Sequence, residues 1–200
     1  TPEEIHGFLE DYQKELGQAQ VVAISGSMPK GLPGDFYATL TRMAKEQGKT
    51  VIVDSSGSSL KEALPGCPDL IKPNAEELQQ LTGADTGSVE SCVQAARTLQ
   101  AQGAGTVAVS LGKDGVLVVS PQGVYQGRPP CIQVVNTVGC GDSMVAGFAT
   151  GFAQGWELPQ VIRYAVAISA ANALTKETGC FQPEDLERLL PQVTVEQLEH

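Results

Sequence analysis

Positive charge is scarce in this 200-residue chain: 13 Lys and Arg stand against 23 Asp and Glu, for a formal net charge of −10. No basic cluster breaks that acidity, which argues against a nucleic-acid or anionic-membrane surface. Any phosphate bound here must be held locally, by backbone N–H groups and a few well-placed cations. Cysteine is sparse and odd in number. Cys67, Cys92, Cys131, Cys140 and Cys180 show no paired metal-ligand spacing and read as small apolar residues of a reducing compartment. Neither a secretory leader nor an apolar run of membrane length is read, so the expected location is cytoplasmic. Internal repeats, low-complexity linkers and charge blocks are missing too. That leaves one domain, of a size that buries about 70% of its unfolded surface.

Strands and helices alternate along the chain. Thr1-Pro2-Glu3-Glu4 opens with a capping box and a proline at the first helical position. Ile5, Phe8, Leu9, Tyr12 and Leu16 continue it at helical spacing. Residues 21–24 and 50–53 read as strands buried on both faces. Further strands are expected at 70–71 and 106–110, and Pro121-Gln122-Gly123 turns a hairpin. Helices are expected over 35–47, 60–64, 75–81, 88–102, 158–173 and 183–190. The alternation predicts a parallel sheet covered by helices on both faces. Leu198-Glu199-His200 reads as the remnant of an expression tag, leaving 1–197 as the domain.

The most informative stretch is Asn136-Thr137-Val138-Gly139-Cys140-Gly141-Asp142-Ser143. Ile132-Gln133-Val134-Val135 before it reads as a strand, and a helix of small residues follows. Strand, glycine turn and helix N-terminus together make an anion site, because free N–H groups and the helix dipole converge there. Asp142 is then a carboxylate set beside a place built for negative charge. Phosphoryl transfer to an alcohol needs that pairing: the acid takes the hydroxyl proton while the N–H groups hold the group under attack. The competing reading is a plain N-cap, worth about 0.5–2 kcal/mol. Capping alone does not require Asp54, Lys72 to Asn74 and Ser110 to Gly112 to fall at strand ends as well. Open parallel sheets keep their ligand crevice there.

Four segments then carry a resemblance: Ser25-Gly26-Ser27-Met28-Pro29, Lys72-Pro73-Asn74-Ala75-Glu76-Glu77-Leu78, Ser110-Leu111-Gly112-Lys113-Asp114-Gly115 and Thr137-Val138-Gly139-Cys140-Gly141-Asp142-Ser143. In this order and spacing the chain resembles the ribokinase-like (PfkB) family of sugar kinases, in its 1-phosphofructokinase and tagatose-6-phosphate kinase branch. The resemblance implies an α/β fold of three α/β/α layers with a mostly parallel sheet. It implies Asp142 as general base, with Val138, Gly139, Cys140 and Gly141 as the anion hole. Cys140 stands where the family more commonly has alanine, and reads as packing rather than as a nucleophile. Asn74 and Glu77 match an Asn-x-x-Glu element that organises Mg²⁺ through water, against the competing reading of a capping box. Ser110, Leu111, Gly112, Lys113, Asp114 and Gly115 would lie along ATP, with Asn172 beside the adenine. Lys72 and Asp54 would sit under the phosphates, where a plain ion pair is the alternative.

The implied partners are ATP and a sugar phosphate. The expected reaction converts fructose 1-phosphate to fructose 1,6-bisphosphate; a tagatose-6-phosphate kinase and a catalytically silent nucleotide-binding module are the alternatives. The family's N-terminal strands, its glycine-rich sugar-binding segment and its β-sheet lid have no counterpart among these residues. The expectation is therefore a C-terminal fragment that binds Mg-nucleotide weakly, turns over little, and exposes a sheet edge favouring a homodimer.

Overall fold

A computed structural model describes residues 1–199. Among them, seven strands form one sheet in the order β1-β2-β3-β4-β5-β6-β7. The first four, β1 (Val21–Ser25), β2 (Thr50–Asp54), β3 (Leu70–Ile71) and β4 (Thr106–Ser110), run parallel. β5 (Val116–Ser120), β6 (Gly123–Arg128) and β7 (Thr194–Glu199) continue antiparallel. Helices α1 (Pro2–Leu16), α2 (Phe36–Glu46), α3 (Gly57–Ala63), α4 (Ala75–Thr82) and α5 (Val89–Ala101) cover one face. The other carries α6 (Cys140–Ala153) and α7 (Leu158–Asn172), with α8 (Pro183–Leu189) beside them. The three-layer α/β/α expectation holds.

The strand period of two divides the core cleanly. Val51, Val53, Val107, Val109, Leu117 and Val119 pack under α1 to α5. Ile52, Ala108, Val116 and Val118 pack against α6 and α7. All ten are at most 1% exposed, so the inner strands read as continuous apolar runs. Helices α6 and α7 approach until side chains are excluded. A Cβ on Gly147 would lie 2.5 Å from the Cα of Ala165, and one on Gly151 would lie 2.8 Å from both methyls of Val161. This close seam fixes where the N-terminus of α6 points.

The structure departs from expectation in four places. β1 is not buried on both faces: as the first strand of the sheet it leaves Ala23 and Ser25 exposed. Residues 132–135 form no strand. Pro129 and Pro130 bring no N–H to a ladder, and the N–H groups of Val135 and Asn136 both bond to the Ala173 carbonyl at the end of α7. β7 was not expected. Its outer face is exposed, so the apolar alternation that marks a strand is weak there. Finally, Leu198 and Glu199 belong to β7, with Glu199 opposite Val124, so they cannot be set apart from the fold. His200, the end of the expected tag remnant, lies outside the described residues.

Candidate active site

The N-terminus of α6 is left open by its own sequence. Gly139 takes the N-cap position at φ 83°, a conformation glycine adopts without strain, and no side chain caps the helix. Three amides of the turn are used: Val138 N–H donates to Asn136 Oδ1 (3.0 Å), Cys140 N–H to Thr137 O (3.2 Å) and Ser143 N–H to Gly139 O (2.8 Å). Among the described residues, the N–H groups of Gly139, Gly141 and Asp142 find no protein acceptor. The turn is clamped from behind. Asn172, fully buried in the last turn of α7, donates to Val138 O (3.1 Å) and to Cys140 Sγ (3.3 Å). Its Oδ1 accepts from Cys180 N–H (3.2 Å). Asn172, expected beside an adenine, is held inside the protein, where it supports the turn at the start of α6.

Asp142 lies in the first helical turn, exposed, and caps nothing. Lys72, at the end of β3, reaches the same place: a Cβ on Gly141 would lie 3.4 Å from its Nζ. The Lys72 side chain is 8% exposed and pairs with Asp54 Oδ1 at 3.1 Å. Burial pushes the Asp54 carboxyl above its ordinary range; the Lys72 ammonium opposes this, and the negative charges of Asp142 and Glu77 add to it. Desolvation outweighs the ion pair. One buried ammonium therefore stands beside both the Asp54 carboxylate and the open end of α6.

Asn74 and Glu77 form a reciprocal capping box at α4. Glu77 N–H donates to Asn74 Oδ1 and Asn74 N–H donates to Glu77 Oε2, both at 2.8 Å. Capping and metal organisation remain compatible, because the second Glu77 oxygen has no protein donor. Asn74 also bridges to Ser110 at the end of β4. From there the chain makes a tight turn over Gly112–Asp114, closed by Leu111 N–H to Gly115 O at 2.8 Å. Gly115, at φ 88°, has no room for a side chain: a Cβ would lie 2.0 Å from Gly127 O.

A cavity of about 780 Å³ opens between this turn and the α6–α7 pair. Ser110, Gly112, Lys113, Asp114 and Gly115 line one side, and Cys140 and Gly141 close its end. Leu111 points away from it, toward the α4–α5 layer. The far wall was not foreseen: Pro129, Pro130, Ile132 and Val134 from the irregular loop, with Met144, Val166, Ala170 and Ala173. Apolar walls with polar groups at one end suit a flat, partly apolar ligand that carries an anion. Among the described residues no three His, Cys, Asp or Glu side chains gather as a metal cage, and no helix is long and apolar enough to cross a membrane.

A layered α/β/α fold with a receptive helix end at the carboxyl edge of its parallel strands defines a ribokinase-like protein. Comparison with known proteins gives the family. The pfkB family carbohydrate kinases match residues 3–185, and the chain belongs to that family. It is 37% identical over 198 residues to 1-phosphofructokinase of Bacillus subtilis, covering 99% of this chain and 64% of that protein. Among solved structures, phosphofructokinase-2 of Escherichia coli in complex with potassium superposes with TM-score 0.82 at 32% identity, over 90% of this chain and 60% of that one. Ribokinase of Arabidopsis thaliana, complexed with ribose and ATP, superposes with TM-score 0.79 at 26% identity, over 90% of this chain and 58% of that one. The chain thus spans about three-fifths of the length of the relatives it matches.

Proposed function

We propose that this chain supplies the nucleotide site, phosphate cradle and general base of an ATP-dependent sugar-phosphate kinase. The acceptor is a ketose phosphate, fructose 1-phosphate, giving fructose 1,6-bisphosphate. One observation carries the reading: an uncapped helix end with three free amides has a carboxylate, Asp142, in its first turn and an ammonium, Lys72, beside it. The 37% identity to a 1-phosphofructokinase supports the choice of acceptor.

In this mechanism ATP lies along the 780 Å³ cavity with its base against the apolar wall and its phosphates toward Gly139–Asp142. The acceptor hydroxyl attacks the γ-phosphorus, its proton passes to Asp142, and the bond to the β-phosphate oxygen breaks to release ADP. The amides of Gly139, Gly141 and Asp142 and the Lys72 ammonium hold the charge on the transferring group. Mg²⁺ fits these residues: Glu77, its side chain fixed by Asn74, would help hold the ion beside the phosphates. When bound, the ion neutralises phosphate charge.

The test is a coupled ADP-release assay with Mg-ATP on the protein at the length of its relatives, screening fructose 1-phosphate, fructose 6-phosphate and tagatose 6-phosphate. Fructose 1-phosphate should give the highest kcat/KM. A higher value for tagatose 6-phosphate would reassign the acceptor. Mg-ATP binding without turnover of any sugar phosphate would leave a nucleotide-binding module in place of an enzyme.

A further inference from the structure

A second cavity, of about 680 Å³, lies on the opposite side of the Gly112–Asp114 turn, against α4 and α5. Gln126 of β6 lines it and is 5% exposed. Its Oε1 accepts from Arg128 Nη2 at 2.6 Å, while its Nε2 has no acceptor among the described residues. Among the described residues no wholly buried side-chain nitrogen or oxygen goes unpaired, so this NH₂ opens into the cavity it lines. Arg128 lines the cavity too. Among the described residues it bonds to Gln126 and to Glu196 (3.3 Å), leaving guanidinium N–H groups to spare. The third donor set is the first turn of the 13-residue α5, whose Ser88 and Val89 line the same space. Ser88 Oγ accepts from Ser91 N–H, but the N–H groups of Val89 and Glu90 have no acceptor among the described residues. Leu111 and Leu117 form an apolar floor, and the carboxylates of Glu76 and Asp114 stand at exposed positions on the rim.

We propose that this cavity binds a small hydroxylated carboxylic acid and that its occupation weakens nucleotide binding next door. A planar carboxylate matches the guanidinium fork, the Gln126 amide and the helix end together. Glu76 and Asp114 accept the hydroxyls, and their charge turns away polyanions such as a second nucleotide. Ser110, Asp114 and Arg128 are walls of both cavities. An acid that draws the Arg128 guanidinium to its side removes positive charge from the other, and the penalty is reciprocal. The coupling rests on the nucleotide reading given above; the site itself does not.

The experiment is a ¹⁵N NMR titration of this chain with glycerate, with sulfate as the control anion, on the wild type, Gln126→Glu and Val89→Phe. Glycerate should shift the Gln126 side-chain amide and the Val89 and Glu90 amides saturably. Gln126→Glu should weaken binding by about tenfold or more, since a donor becomes a repelling acceptor. Val89→Phe, which fills the cavity, should abolish it, and it keeps the test decisive if the first variant fails to fold. Mg-ATP affinity without glycerate should be unchanged in Val89→Phe, and in the wild type it should fall several-fold when glycerate is saturating. Sulfate shifting the α5 amides as glycerate does, with Gln126 unmoved, would mean an adventitious ion only and overturn the site. So would shifts confined to Gly139–Asp142, or binding that survives both substitutions. Mg-ATP binding indifferent to glycerate overturns the coupling. Failure of Mg-ATP to bind at all sinks the nucleotide reading while the glycerate shifts still judge the site.

Discussion

Asn172 and Asp142, at the end of α7 and the start of α6, do opposite work. Asn172 is wholly buried, and its amide holds Val138, Cys140 and Cys180 at once. Asn172→Ala strands the Val138 carbonyl and the Cys180 N–H, so a loss of about 1–3 kcal/mol is expected in urea unfolding, with weaker nucleotide binding alongside. An unchanged unfolding midpoint would remove Asn172 from the supporting role. Asp142 is exposed and caps no amide. Asp142→Asn should therefore leave the unfolding midpoint where it is and keep Mg-ATP binding, while turnover at the relatives' full length falls by ~10²–10⁴. A stability loss with turnover retained would turn Asp142 back into a helix cap. Gly139 admits neither tolerance. At φ 83° a Cβ would meet Gly179 N at 2.7 Å and Thr178 Cγ2 at 2.8 Å, so an alanine there must displace the 178–179 loop.

Where β2 and β3 end side by side, register rather than any single residue makes the site. Parallel pairing sets Val53 against Ile71, so Asp54 and Lys72 leave their strands as neighbours. Breaking that buried pair from the lysine side leaves a lone carboxylate: Lys72→Met should cost about 3–5 kcal/mol, much of it recovered in Lys72→Met with Asp54→Asn. A double-mutant cycle in urea checks this, and additive losses would mean that the pair is not coupled. The pH sign is also fixed. Asp54's folded-state value is raised, so its contribution to stability is present below the unfolded carboxylate range and is lost as pH rises through the folded value. Wild-type stability should thus fall more steeply than that of Asp54→Asn as pH rises from the acidic side toward neutrality. These positions were legible in the sequence because short apolar runs such as Thr106–Ser110 end in polar residues, and glycines punctuate the turns. The far wall of the 780 Å³ cavity was not legible. Ile132, Val134 and Val135 carry a strand's composition, and only the two prolines before them, together with a carbonyl on α7 far along the chain, decide against it. β7 escaped for the converse reason, its exposed face giving little apolar signal.

At the scale of the whole chain, two long-range features pull against each other: a sheet edge left open among the described residues and a net charge of −10. β1 is the first strand of the sheet, pairs on one side with β2, and carries Val21, Val22, Ala23 and Ile24 with no charged residue among them. An uncharged apolar edge invites pairing with a second copy of itself. The self-repulsion of the acidic surface opposes that encounter, and it is screened once the Debye length falls to about 10 Å near 0.1 M salt. Self-association should therefore rise with both concentration and salt, the reverse of an assembly held by ion pairs. A lysine at the exposed Ala23 places charge on the edge without entering the core, so Ala23→Lys should hold the chain monomeric where the wild type associates. Sedimentation velocity across a salt series reads both effects. A wild type that stays monomeric at every concentration and salt, or an Ala23→Lys variant that associates as the wild type does, would show that β1 is not the surface through which two copies meet.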